Sequence, residues 1–141
     1  MVAYSFKARF VTPILTCQKC GTIRAEGRRR HAGAGDALQL YTAMRTKQCR
    51  LILQTTCADA SHIVLRWKRR PEIIIRGEKL SEALFATFAR EDGFADFDDM
   101  ARFWRDVHPD IRLFRGWLIK WPKLIGPVKM GADVRPWERA A

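Results

Sequence analysis

Acidic side chains are scarce in this sequence: its 141 residues hold 15 Asp and Glu against 26 Lys and Arg, a formal net charge of +11. It has no apolar run near the roughly 18 residues that a membrane-spanning helix needs, so no membrane partner is expected. Lys7 and Arg9 interrupt the stretch where a secretory signal would place its apolar segment, and a cytoplasmic location is expected on that ground. Zinc-protease, P-loop, dinucleotide-binding and nucleophile-elbow motifs are all absent, as are internal repeats. A second Cys-x-x-Cys pair is also missing. Cys17 and Cys20 have that spacing, whereas seven residues separate Cys49 from Cys57. A structural zinc site closes with four compactly spaced ligands, and His31 adds at most a third, so neither metal nor another cofactor is expected. The cysteines are read as reduced thiols, as an intracellular chain keeps them.

Hydrophobic residues make up 48% of the chain and aromatics 11%, which excludes a disordered polymer. A chain of this length buries about 70% of its unfolded surface around one core, so one domain is expected. Its charge is uneven. Residues 1–60 carry ten basic and three acidic side chains, residues 80–110 three basic and eight acidic, and residues 111–141 seven basic and two acidic. Excess positive charge attracts polyanions, and nucleic acid or a nucleotide is the expected partner. The alternative is a basic surface that serves solubility alone.

The hydrophobic pattern changes period along the chain. Val2 to Phe6 reads as a short strand. Thr12-Pro13 has the residues of a helix start, with Thr12 as N-cap and Pro13 in the first turn, for a helix ending near Gln18. Thr22 to Arg24 is β-prone, and residues 25–35, with Arg28-Arg29-Arg30-His31, read as a basic loop. Strands are predicted over 37–41, 48–56, 62–67 and 72–76, at the turn spacing of a small barrel or sandwich. Ser81 caps a helix that Gly93 breaks, and Asp96 or Asp98 starts another that Pro109 ends. A last strand spans 112–121. Residues 122–141 hold three of the six prolines and read as an irregular tail. The fold class is therefore α+β, with a mostly antiparallel sheet, two or three peripheral helices, and barrel closure inferred from the strand count.

The chemistry concentrates in ILTCQKCGTIRAEGRRRHAGAGD, Ile14 to Asp36. On an extended strand Thr22 and Arg24 share a face, and Lys19 approaches it from the helix–strand junction. Two cations and a hydroxyl then meet at one cleft. Arg28, Arg29 and Arg30 are candidates for phosphate steering, and Tyr41 for stacking on a base. Trp67, Trp117 and Trp121 read as core or rim. His31, His62 and His108 are scattered.

This order of features resembles the ASCH (activating signal cointegrator homology) superfamily. It has a short helix, then Lys19-x-x-Thr22-Ile23-Arg24, a loop closing on Gly35-Asp36, several strands, and the later run Glu91-Asp92-Gly93-Phe94. The resemblance covers most of residues 2–121 and implies a PUA-like β-barrel associated with RNA and nucleotides. The motif is similar to that of small bacterial amidohydrolases acting on N4-acetylcytidine. By that resemblance Lys19, Thr22 and Glu91 are the catalytic candidates: Lys19 as base for a Thr22 nucleophile, Glu91 as its orienter or proton carrier. Arg24 beside Lys19, together with burial, is expected to lower the lysine pKa. Cys17 stands where the family usually has glycine, and Cys20-Gly21 where the amidohydrolases usually have threonine and an apolar residue. A non-catalytic RNA- or DNA-binding module and a ribonuclease use the same cations, and both stay open as alternatives.

Overall fold

Strict alternation builds the first strand: Val2, Tyr4 and Phe6 are buried, while Ala3 and Ser5 are half-exposed. The computed structural model describes residues 1–123. The strands are β1 (Val2–Phe6), β2 (Gly21–Ala25), β3 (Ala37–Thr42), β4 (Arg50–Thr56), β5 (Asp59–Arg66), β6 (Glu72–Ile75), β7 (Glu78–Lys79) and β8 (Leu113–Lys120). The helices are α1 (Val11–Leu15), α2 (Phe85–Glu91) and α3 (Phe97–Val107). None of them is long and apolar enough to cross a membrane. The tail expected over 122–141 lies, beyond Lys123, outside the described residues.

The architecture is α+β, but the barrel expected from strand count is not closed among the described residues. The strands form two sheets, ordered β1-β3-β4 and β2-β8-β5-β6-β7. β1 runs parallel to β3, with Val2 opposite Leu38, and the other pairings are antiparallel. Turn spacing counts strands without saying which ones share hydrogen bonds. Here β2 leaves its neighbour β1 and pairs with β8, near the far end of the chain. The crossover from β1 to β3 therefore carries α1 and β2, which places residues 19–24 where the two sheets meet.

Both sheets feed one core. Tyr4, Leu38, Leu40 and Ile52 from the first, Ile63, Leu65, Ile73 and Ile119 from the second, and Met100 and Trp104 from α3 belong to one buried cluster. Each such aliphatic side chain stabilises the fold by about 1.5–3 kcal/mol relative to exposure. Gly116 sets how closely β2 lies on β8, because a Cβ there would stand 2.2 Å from the Arg24 carbonyl oxygen.

Local signals and structure agree at some helix ends and differ at others. Asp96 caps α3, its carboxylate accepting from Asp99 N–H at 2.8 Å. Ser81 accepts from Ala83 N–H and opens a short 3-10 turn leading into α2. Gly93, at φ +97°, ends the α2 region. Thr12 is not an N-cap. A 3-10 turn over Ala8–Phe10 runs directly into α1, so Thr12 sits inside the helix. The helix also stops at Leu15 rather than near Gln18, since Cys17 adopts the left-handed φ of +67°. Past β6, Arg76 (φ +53°) and Gly77 (φ +82°) turn the chain into the unanticipated two-residue strand β7.

Candidate functional site

β2 projects Thr22 and Arg24 to the same side. The Arg24 Nε donates to Thr22 Oγ1 at 3.0 Å, and Nη2 donates to the Ser5 carbonyl at 2.8 Å. The second bond ties β2 to β1 of the other sheet. The guanidinium lies 4.8 Å from the Phe6 ring centroid and 5.0 Å from that of Tyr4, an arrangement that favours a cation by its attraction to the ring faces. Burial lowers the Arg24 pKa to about 10, opposed by Tyr4 and reinforced by Arg29. Arg24 is therefore still a cation at neutral pH.

Lys19 is buried more deeply, at 3% exposure. Its Nζ donates to the Asp92 carbonyl oxygen at 2.6 Å and to Asp92 Oδ1 at 3.0 Å. The ammonium also lies 4.7 Å from the Phe10 ring centroid. Two unusual backbone positions make this possible. Cys17, left-handed, turns the chain out of α1, and the Lys19 N–H then donates to the Pro13 carbonyl at 2.9 Å. Gly93 provides the space, since a Cβ there would stand 2.9 Å from Lys19 Cδ and 3.0 Å from Phe10 Cδ1. Burial pushes the Lys19 pKa down, against the pull of Asp92, and Arg24 and Arg9 push it further down. Burial pushes the Asp92 carboxyl up, against the attraction of Lys19 and Arg24. Both shifts favour the uncharged forms, so desolvation outweighs attraction across this pair.

These groups face a cleft of about 290 Å³, lined by the polar Lys19, Thr22, Arg24 and Asp92 and by the aromatic Phe6, Phe10, Phe94, Phe103, Trp104 and His108. No hydrogen bond joins Lys19 to Thr22; both polar contacts of Nζ end on Asp92.

The residues singled out from sequence separate here. Lys19, Thr22 and Arg24 come together in the cleft. Glu91 does not join them: it is the last residue of α2, exposed, and lines a different cavity of about 380 Å³ with Cys17, Cys20, Lys120 and Lys123. The carboxylate on Lys19 belongs to the next residue, Asp92, where the chain leaves the helix and turns inward. Arg29 lies 4.8 Å from the Tyr4 ring and donates to the Ala3 carbonyl, which brings it near Arg24. Arg30 pairs with Asp36 at 3.0 Å, and Arg28 is exposed. Tyr41 donates to Gln39 Oε1 at 3.0 Å and does not line the cleft. The tyrosine beneath the cleft cations is Tyr4. His31 Nε2 donates to the Ala25 carbonyl at 2.8 Å, which leaves Nδ1 to accept from the Tyr4 hydroxyl at 3.0 Å in the neutral ring.

The four cysteines are free, and no group of three or more His, Cys, Asp or Glu side chains with metal-binding geometry occurs among the described residues. The residues that sequence reasoning missed are Asp92 and the aromatic wall. The signal for Asp92 was its place one residue on from Glu91, about 100° further around the helix end. Comparison with known protein families, with curated proteins and with solved structures finds no match.

Proposed function

We propose that the chain is a PUA-like ASCH domain whose cleft takes a cytidine-type nucleoside, free or within RNA, and removes an acyl group from its N4 nitrogen. The observation that carries this reading is the buried Lys19–Asp92 pair beside a Thr22 hydroxyl held by Arg24, under an aromatic wall. A flat base is the ligand such a wall suits, since stacking on aromatic side chains contributes about 1–3 kcal/mol per base.

The roles follow from the contacts. Burial makes the neutral Lys19 amine more accessible near neutral pH, as a general base requires. Arg24 fixes Thr22 Oγ1 through its lone pair and leaves the hydroxyl proton free to be taken. Lys19 removes that proton as Oγ1 attacks the acyl carbon. The C–N bond to N4 breaks, Lys19 returns the proton to the leaving amine, and an acyl ester remains on Thr22. Water then hydrolyses the ester, releasing a carboxylic acid and restoring the hydroxyl. Asp92 takes the carboxylate role that the resemblance gave to Glu91, because Asp92 holds the Lys19 amine. Nζ must turn from Asp92 toward Oγ1 when substrate enters, and catalytic hydrogen bonds commonly tighten only on ligand binding.

One observation favours a second reading, a binding module without chemistry: both polar contacts of Nζ end on Asp92. Thr22→Val separates the two. Thr22 is 4% exposed, and valine fills the same volume without the hydroxyl. By calorimetry with N4-acetylcytidine the variant should bind within a few-fold of wild type, and it should show no turnover. Turnover equal to wild type would remove Thr22 as nucleophile.

A further inference from the structure

A second cavity, of about 310 Å³, adjoins the cleft: Trp104 and His108 line both. Trp67 also lines it, its ring packed against that of Trp104 with centroids 5.8 Å apart. Three cations line it, Lys68, Arg105 and Arg112, all exposed, and no carboxylate does. Asp106 and Asp110 are close in sequence without lining it. Lys68 is partly neutralised by Glu72 at 3.4 Å, whereas Arg105 and Arg112 make no ion pair among the described residues. The cavity beside Glu91 differs, since it sets two carboxylates against its lysines. A half-buried indole, Trp67, with unneutralised guanidinium groups at the rim matches a nucleotide: the ring suits a base and the arginines a phosphate.

We infer that this second cavity is a subsite for the nucleotide flanking the one in the cleft, so that the ligand is a single-stranded RNA segment rather than a free nucleoside. The inference rests on the cleft reading above and extends it to the neighbouring position. A strand passing Trp104 and His108 places one base in the cleft, and its phosphate meets Arg105 and Arg112.

The test compares cytidine with a fluorescein-labelled hexamer of cytidylate RNA on the full chain. Arg105→Ala/Arg112→Ala should weaken the hexamer about tenfold at 0.1 M salt and leave cytidine binding unchanged. The slope of log affinity against log salt should fall by about 0.7, the value for one phosphate neutralised on a single strand. Arg105→Lys/Arg112→Lys should recover most of that loss, which separates lost charge from disturbed folding. A hexamer that binds no better than cytidine, or that the alanine pair leaves unaffected, overturns the subsite while the cleft reading stands. Wild type that binds neither ligand overturns both.

Discussion

Replacing the buried ion pair by apolar side chains should make this protein more stable and inactive. In Lys19→Met/Asp92→Leu the substituents approximate the originals in shape, and the wild-type side chains are only 4% and 9% exposed. Such replacements are commonly neutral or stabilising by about 1–4 kcal/mol, because two ions no longer have to be desolvated. The Asp92 carbonyl loses its 2.6 Å hydrogen bond from Nζ. That loss costs about 1 kcal/mol and leaves a gain of up to roughly 3 kcal/mol. At roughly 3–4 °C per kcal/mol for a chain of this size, the melting temperature should rise by up to about 10 °C at pH 7. The pH dependence follows from the two directions of shift. The Asp92 carboxyl, raised on folding, contributes stability that is full below its unfolded value of 3.8 and is lost as pH rises through its folded value. The Lys19 ammonium, lowered on folding, contributes stability that is full above 10.5 and is lost as pH falls through its folded value. The ionised pair is thus most costly near neutrality. The advantage of the double variant should be largest there and shrink toward acid and toward alkali. Thermal melts from pH 4 to pH 10 measure it. A variant melting 10 °C or more below wild type at pH 7 would refute the reasoning, because attraction would then exceed desolvation.

Cys17→Gly should raise the melting temperature by a few degrees, since a left-handed φ costs a side-chain-bearing residue about 1 kcal/mol or more that glycine avoids; a lower melting temperature would contradict this. Gly116→Ala should cost several kcal/mol, because its Cβ would meet the backbone of β2 and not a flexible side chain; melting within 3 °C of wild type would show that β2 yields there. Alanine at Arg28, Arg29 and Arg30 together should lower the salt slope of RNA binding by at most about 2, at roughly 0.7 for each phosphate that the loop no longer neutralises, and an unchanged slope would remove this loop from the interface.

Where a residue's local chemistry settles its conformation, the sequence foretold the structure. Asp96 caps its helix because a short carboxylate satisfies a free N–H, and Gly93 ends one because it tolerates a positive φ. Thr22 and Arg24 share a face by strand periodicity alone, and their hydrogen bond follows from it. What failed depends on distant partners. The pairing of β2 with β8 joins residues about a hundred positions apart, so periodicity within either strand carries no trace of it, and barrel closure could not be judged. The resemblance pointed to Glu91, whereas the carboxylate on Lys19 is that of Asp92: neighbouring residues at a helix end point about 100° apart, which sends one carboxylate to solvent and the other to Lys19. Tyr41 was singled out for its place at a strand end, while the tyrosine that packs under Arg24 and Arg29 is Tyr4. Cys17 was visible as a departure from the glycine of the resemblance, and its left-handed φ shows why glycine suits that position.

The proposed activity of the cleft of Lys19, Thr22, Arg24 and Asp92 is hydrolysis of an N4-acylated cytidine. Its most direct test follows the ultraviolet spectrum of N4-acetylcytidine mixed with the wild-type chain and, in parallel, with Thr22→Val. Lys19→Arg is a poorer probe, because Lys19 is tightly enclosed between Phe10 and Gly93 and a longer side chain disturbs the packing. The predicted result is conversion to cytidine over many turnovers by wild type and none by Thr22→Val. An unchanged spectrum with wild type at stoichiometric concentration, under conditions where calorimetry shows the nucleoside bound, would contradict it.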